Sequence, residues 1–299
     1  MTKVNNYIIE FLDYLNFEKN YSQNTIRAYK TDLNDFSTFL YSNDFAVELN
    51  KIKRSYVQFY LSSISSTAIA ASTLSRKIAS IKSFYRYLLE LEIVDKNITK
   101  GISFPKLPKK LPTFLTEKEI EKLMELPKFH SKNPVRDSLI LELLYSSGMR
   151  IHELVSIKLS DIRLEEGLIN VTGKGNVQRY VLVGSFAKES MKKYLDLRKS
   201  KSSKFLFPSE NKYSKTKHVS IRKMYGDIKK YLFLATGNDA LTPHSIRHTT
   251  ATHLLENGTD LMSVKEILGH SSLKSTQVYT HVQKEHMRKI YKQAHPEGN

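Results

Sequence analysis

Three prolines stand within the stretch Phe104-Pro-Lys-Leu-Pro-Lys-Lys-Leu-Pro112. Each removes a backbone donor and biases the residue before it towards extended conformations, so neither helix nor strand can run through this stretch. The chain is thereby divided in two, which suits its 299 residues, a length for roughly two ordinary domains. Elsewhere the same punctuation is scarce. With 11 Gly and 8 Pro in the whole sequence, most of the chain is expected to be helical.

The apolar spacing supports that expectation. Ile8, Phe11, Leu12 and Leu15 recur at helical intervals, and after the polar break Asn20–Asn24 so do Ile26, Tyr29, Leu33, Phe36 and Leu40. From Thr73 onward, Leu74, Ile78, Ile81, Phe84, Tyr85 and Leu88 form another stripe. Arg76, Lys77, Lys82 and Arg86 lie along that same helix, which can pack on one side and meet phosphates on the other. The Ser/Ala-rich run Leu61–Thr73 reads as a connection or a weak helix. Beyond the prolines, Thr116-Glu-Lys-Glu119 has the form of a capping box that opens a second domain. There the helical pattern breaks where Leu168–Val171 and Tyr180–Val183 flank Thr172-Gly-Lys-Gly-Asn176, a β-hairpin with Lys174 at its tip. The expected fold is mainly α with a small hairpin or sheet in the C-terminal domain, an α+β class. The expected boundaries are a helical domain over 1–101, a linker over 102–113 and a second domain over 114–299.

Composition removes several kinds of chemistry. There is no Cys, so disulfides, thiolate metal sites, Fe–S clusters and cysteine nucleophiles are excluded. A hydrophobic share of 40% beside 26% charged residues is a globular balance. No uninterrupted apolar run long enough to span a bilayer occurs, and a soluble, cytoplasmic protein is expected. The net charge of +17 points to a polyanionic partner, because each phosphate neutralised releases counterions. The charge is uneven: residues 1–50 carry 4 basic and 7 acidic side chains, whereas 51–110 carry 12 and 3.

Singly, the polar candidates have bland readings. Arg150 can pair with Glu153 three residues on, as surface helices often do. Lys174 lacks the Ser or Thr that follows the lysine of a phosphate loop. His244 and His248 share a helical face, but His253 turns away from it and Arg247 would place a fixed cation beside any ion, so no metal and no cofactor are expected. His270, after Leu268-Gly269, can cap a helix, and Tyr279 is one of 17 tyrosines. Together they read differently. Two arginines, a lysine, two histidines and a tyrosine suit metal-free transesterification at a phosphodiester. Arg150 and Arg247 can fork onto the non-bridging oxygens, and Tyr279 can attack if an imidazole takes its proton. A mobile hairpin lysine can then protonate the leaving 5′-oxygen.

Five segments carry a resemblance. Tyr145-Ser-Ser-Gly-Met-Arg150-Ile-His-Glu-Leu154, Gly173-Lys-Gly175, Thr242-Pro-His244-Ser-Ile-Arg247-His-Thr249, Leu268-Gly-His270-Ser-Ser272 and Thr276-Gln-Val-Tyr279-Thr280 occur in the order and approximate spacing of the tyrosine recombinases. The chain resembles their Xer branch over nearly its whole length, with Ser22-Gln-Asn-Thr25 and Phe104-Pro-Lys106 as weaker N-terminal matches. Ser146-Ser147 departs mildly from a small-residue/Thr pair. The resemblance implies a two-domain clamp on double-stranded DNA, with 1–101 as core-binding domain and 114–299 as catalytic domain. It implies Arg150, Lys174, His244, Arg247 and His270 as the activating set, Tyr279 as the nucleophile that forms a 3′-phosphotyrosine, and Glu153 as support for the arginine.

The resemblance further implies a homotetramer, or a heterotetramer with a paralogous recombinase, whose exchange helix over about 284–295 docks into a neighbouring subunit. A septal DNA translocase as activator and a nucleoid-associated location belong to the same picture. The expected role is resolution of chromosome dimers at a dif-like site. A recombinase of a mobile element or inversion system uses the same residues, whereas a non-catalytic DNA-binding protein would be marked by loss of Tyr279 or an arginine, and none is lost.

Overall fold

The computed structural model describes residues 3–45, 48–67, 69–105, 114–173, 177–198, 202–211, 213, 217–269 and 290–296. Two compact units divide at Lys110 and Leu111. The tip residue Lys174, together with His270 and Tyr279, lies outside the described residues, as does most of the proline stretch.

Among the described residues, the first unit contains four α-helices. Helix α1 (Lys3–Phe17) and α2 (Gln23–Ser42) use the two apolar stripes anticipated above, and Ser22 caps α2 by accepting the Thr25 N–H at 3.3 Å. A 3-10 turn at Leu49–Lys51 leads into α3 (Arg54–Ser65), which ends within the Ser/Ala-rich run, and α4 (Ala71–Glu90) starts at its far side. The core is unusually aromatic. Phe11 lies 5.5 Å from Phe84, and Phe36 lies 5.2 Å from Tyr60, ring centre to ring centre. Ile102 is buried in this same core, and Phe104 lies 4.8 Å beneath the Lys82 ammonium. Ile102, in the expected linker, thus buries its apolar side chain against the first unit.

In the second unit Leu115 is fully buried, and the capping box at Thr116 and Glu119 is present. It opens α5 (Glu117–His130), followed by α6 (Pro134–Ser147) and the short α7 (Ile151–Ser156). A three-stranded antiparallel meander follows: β1 (Ile162–Arg163), β2 (Leu168–Thr172) and β3 (Gln178–Leu182), with Val171 opposite Arg179. The strand pair is the anticipated hairpin, and β1 was not legible in the periodicity because it is two residues long. Helices α8 (Ser185–Leu197), α9 (Ile221–Thr236), α10 (Pro243–Glu256) and α11 (Leu261–Leu268) follow among the described residues. Among the described residues, no helix is long and apolar enough to cross a membrane.

Residues 290–294 are helical, and Tyr291 and Ala294 are buried in a small cluster with Leu254, Val264, Ile267 and Leu268. The buried His295 places Nε2 3.2 Å from the Tyr145 carbonyl oxygen, and Asn257 Nδ2 donates to the Ala294 carbonyl at 3.0 Å. Of the expected exchange helix over about 284–295, the described residues begin at 290. In the single chain, Tyr291 and His295 have an apolar seat on their own unit, and burying them there removes surface that water would otherwise meet.

Candidate active site

Helix α6 ends at Gly148, whose φ of +57° is left-handed, and a Cβ at this position would overlap the Leu268 side chain. Glycine is thus required both by the turn and by the close approach of α11. The turn reverses the chain into Arg150, an extended residue that caps α7, and the Glu153 carboxylate accepts the Arg150 N–H at 2.8 Å. Glu153 Oε1 also lies 3.2 Å from Arg150 Nη1. The salt-bridge reading of this pair and the support reading are therefore one arrangement, with the side chain of Arg150 still 29% exposed.

Sequence reasoning missed the other partner of Glu153. Arg179 of β3 donates to both carboxylate oxygens, Nη1 at 2.6 Å and Nη2 at 3.0 Å, in a forked, buried ion pair. Strand alternation held the signal, since Arg179 and the fully buried Val181 fall on the same face of β3. Arg179 also lies directly beneath Gly269, where a Cβ would overlap its side chain. The carboxyl of Glu153 is fully buried, which alone would push its pKa up, but hydrogen bonds and charge from Arg179, followed by Arg150, hold it down at about 2.

Arg247, on the second turn of α10, is 6% exposed. Its guanidinium donates to the Gly148 carbonyl and, at 2.7 Å, to the Leu268 carbonyl. Both acceptors are at helix C-termini, where carbonyls lack intrahelical partners and the helix dipole is negative. No carboxylate pairs directly with Arg247 among the described residues. Burial, then the charges of Arg150 and Arg179, lower its pKa to about 10. Such a cation, desolvated and beside a second arginine, is poised for an anion.

His244 is exposed at the start of α10. Its imidazole is held below the ordinary value of 6.5, first by desolvation and then by the positive charge of His248, Arg150 and Arg247. It therefore stays neutral, and able to accept a proton, at neutral pH. His253 does turn away: Nδ1 lies 2.9 Å from the Tyr145 hydroxyl and Nε2 lies 3.0 Å from the Leu115 carbonyl, so it is a buried connector. Thr249 and Thr250 bind α10 to the same neighbours, accepting the Leu115 N–H at 2.9 Å and donating to the Tyr145 carbonyl at 2.8 Å. No group of three His, Asp or Glu side chains placed to hold a metal ion occurs among the described residues.

The structure brings Arg150, Glu153, His244 and Arg247 together. The four basic residues of α4 are differently placed. Arg76 pairs with the buried Asp32 and donates to the Ala28 carbonyl at 3.2 Å, and Lys77 lies 2.6 Å from Asp35. Both thus hold α4 to α2. Lys82 rests on Phe104, and Arg86 is exposed and makes no ion pair among the described residues.

The chain is similar to known proteins over nearly all of its length. The profile of the phage integrase family matches residues 113–286, and that of the phage integrase N-terminal SAM-like domain matches 8–91. Tyrosine recombinase XerC of Bacillus licheniformis is 38% identical over 306 residues, covering 100% of this chain and 99% of the relative. Tyrosine recombinase XerD of Staphylococcus epidermidis is 38% identical over 298 residues, covering 98% and 99%. The crystal structure of XerH site-specific recombinase bound to difH substrate, a pre-cleavage complex, matches with a TM-score of 0.67 and 25% identity, over 97% of this chain and 88% of that one. Matched over its full length by these relatives and over more than half of it by the family profile, the chain belongs to the phage integrase family, the tyrosine recombinases, and is a DNA strand-exchange enzyme.

Proposed function

We propose that the chain binds double-stranded DNA, with the first unit as core-binding domain and the second as catalytic domain, and exchanges strands at a dif-like site to resolve chromosome dimers. The observation that carries this reading is the buried guanidinium of Arg247, beside Arg150 and without a carboxylate of its own. In this reading the scissile phosphate supplies the missing anion. Arg150 and Arg247 hold its non-bridging oxygens and stabilise charge as the pentavalent transition state forms. Glu153, clamped by Arg179, fixes the fork of Arg150 without itself reaching substrate. The hydroxyl of Tyr279 attacks phosphorus and gives its proton to an imidazole, His244 or His270. The bond to the 5′-oxygen breaks, Lys174 protonates that oxygen, and the 3′-phosphate remains on the tyrosine. Because a phosphoester replaces a phosphoester, the reverse attack rejoins strands without ATP.

Exposed Arg86, with Lys82, is the part of α4 best placed for phosphates, while Arg76 and Lys77 contribute through the architecture of α2 and α4. In this reading the chain assembles as a multimer, of identical copies or with a paralogous recombinase, at the nucleoid and with a septal DNA translocase as activator. The test is covalent trapping. Wild type and Tyr279→Phe are incubated in EDTA with a nicked suicide duplex carrying a dif-type site and run on a denaturing gel. A shifted band in wild type, absent from Tyr279→Phe, is expected. A covalent band of equal strength in Tyr279→Phe would refute cleavage by this tyrosine.

A further inference from the structure

Arg150 and Arg247, the two cations assigned to the phosphate, belong to different elements, so their separation is set by tertiary contacts. Two links join their surroundings. The first is Arg247 itself, which donates to the carbonyls of Gly148 and Leu268 at the ends of α6 and α11. The second runs through Arg179. Its fork closes on Glu153, which accepts the backbone N–H of Arg150 and pairs with the Arg150 side chain. The other end of the Arg179 side chain meets the opposite turn: a Cβ at Gly269, the residue after Leu268, would overlap Arg179 Cδ and Nε. The root of the hairpin passes the same ion pair, since a Cβ at Gly173 would lie 3.4 Å from Glu153 Oε1 and 3.7 Å from Arg179 Nη1.

Arg179 Nε is buried and has no hydrogen-bond partner among the described residues, although both terminal nitrogens of the same guanidinium bond one carboxylate. Orphaned buried donors are uncommon and call for an account. Here the fork fixes the plane of the guanidinium, which leaves Nε against the Gly269 turn. We infer that Arg179 is a positioning residue for both phosphate-holding arginines: it sets their spacing by holding Arg150 through Glu153 at one end and the Leu268–Gly269 turn that receives Arg247 at the other. The inference rests on the reading that these arginines take the two non-bridging oxygens. A displacement on the order of 1 Å at a reacting centre costs about a hundredfold in rate, so a residue that touches no substrate controls the step through spacing alone.

Stereospecific sulfur substitution tests this. Nicked suicide duplexes with a dif-type site carry the scissile phosphate as the oxygen ester, the Rp phosphorothioate or the Sp phosphorothioate. Single-turnover cleavage is measured for wild type, Arg179→Lys and Gly269→Ala. Sulfur is a poor hydrogen-bond acceptor, so each diastereomer slows wild type where its sulfur replaces an oxygen held by a guanidinium. Arg179→Lys keeps a cation beside Glu153 but not the fork. Its cleavage of the oxygen ester should fall about tenfold to a hundredfold. Both oxygen-to-sulfur rate ratios should shrink towards one, because a contact already displaced is not lost again. Gly269→Ala, which pushes on Arg179 from the opposite turn, should lower the same two ratios. Loss of folded protein alone lowers all three rates together and keeps both ratios at their wild-type values, and that result overturns the inference. Collapse of only one ratio also overturns it and leaves Arg179 as the brace of a single arginine. Absence of both sulfur effects from wild type refutes the phosphate-holding reading itself, and the inference with it.

Discussion

Removing Arg179 by substitution with methionine isolates the clamp on Glu153. The Glu153 carboxylate has no exposure to water and takes two hydrogen bonds from Arg179, at 2.6 and 3.0 Å, so the variant leaves a buried charge with only Arg150 beside it. Holding this carboxyl at about 2 instead of 4.5 is worth about 3 kcal/mol of folding free energy at neutral pH, by 1.36 kcal/mol for each pH unit. Deleting one member of a buried pair generally costs about 3–5 kcal/mol, the same range. The sign is fixed by the depressed value. The contribution is complete above 4.5 and is lost as pH falls towards 2, so the gap between wild type and Arg179→Met should be widest at pH 7 and close on acidification. Urea unfolding followed by circular dichroism at several pH values measures this. The double variant Arg179→Met/Glu153→Leu should cost less than the sum of the single changes, because it removes both charges. A cost below about 1 kcal/mol for Arg179→Met, or a gap independent of pH, would refute the claim that Arg179 neutralises this carboxylate. Cleavage should fall in the same variant while duplex binding persists, since Arg150 loses its brace and not its charge.

Three further outcomes follow from the same geometry. His244 is held below 6.5, so single-turnover cleavage should stay level as pH falls to that value and decline beneath it; a decline centred above 6.5 in wild type would argue against neutral His244 as proton acceptor. Burial lowers His295 to about 4, so the unfolded state binds its proton first, and seating of residues 290–295 should weaken as pH drops from 6.5 towards 4, by at most about 3 kcal/mol. Hydrogen exchange of the Tyr291 and His295 amides reads this directly, and unchanged protection at pH 4.5 would contradict it. Gly148→Ala should destabilise the second unit by more than about 2 kcal/mol in urea unfolding, because left-handed strain adds to overlap with Leu268.

Much of this molecule is legible in the chain itself. Helical stripes such as Ile8, Phe11, Leu12 and Leu15, the capping box at Thr116 and the glycine-flanked hairpin are local patterns. Each depends on spacing within a few residues, which the sequence states outright. The five motifs likewise announce the family, since the chemistry of a phosphodiester demands particular side chains in recognisable surroundings. What tertiary structure alone decided is which charges meet. Arg76 and Lys77 look like phosphate ligands on a helical wheel, yet Asp32 and Asp35, more than forty residues away, hold them to α2. Arg179 looks like an ordinary strand residue, yet it neutralises Glu153 from 26 residues away and packs beneath Gly269. Arg247 becomes a desolvated cation only because two helix ends, at Gly148 and Leu268, converge on it. Periodicity records which face of an element is apolar. Partnership between charges depends on distances across the fold, and those are set when the apolar faces pack.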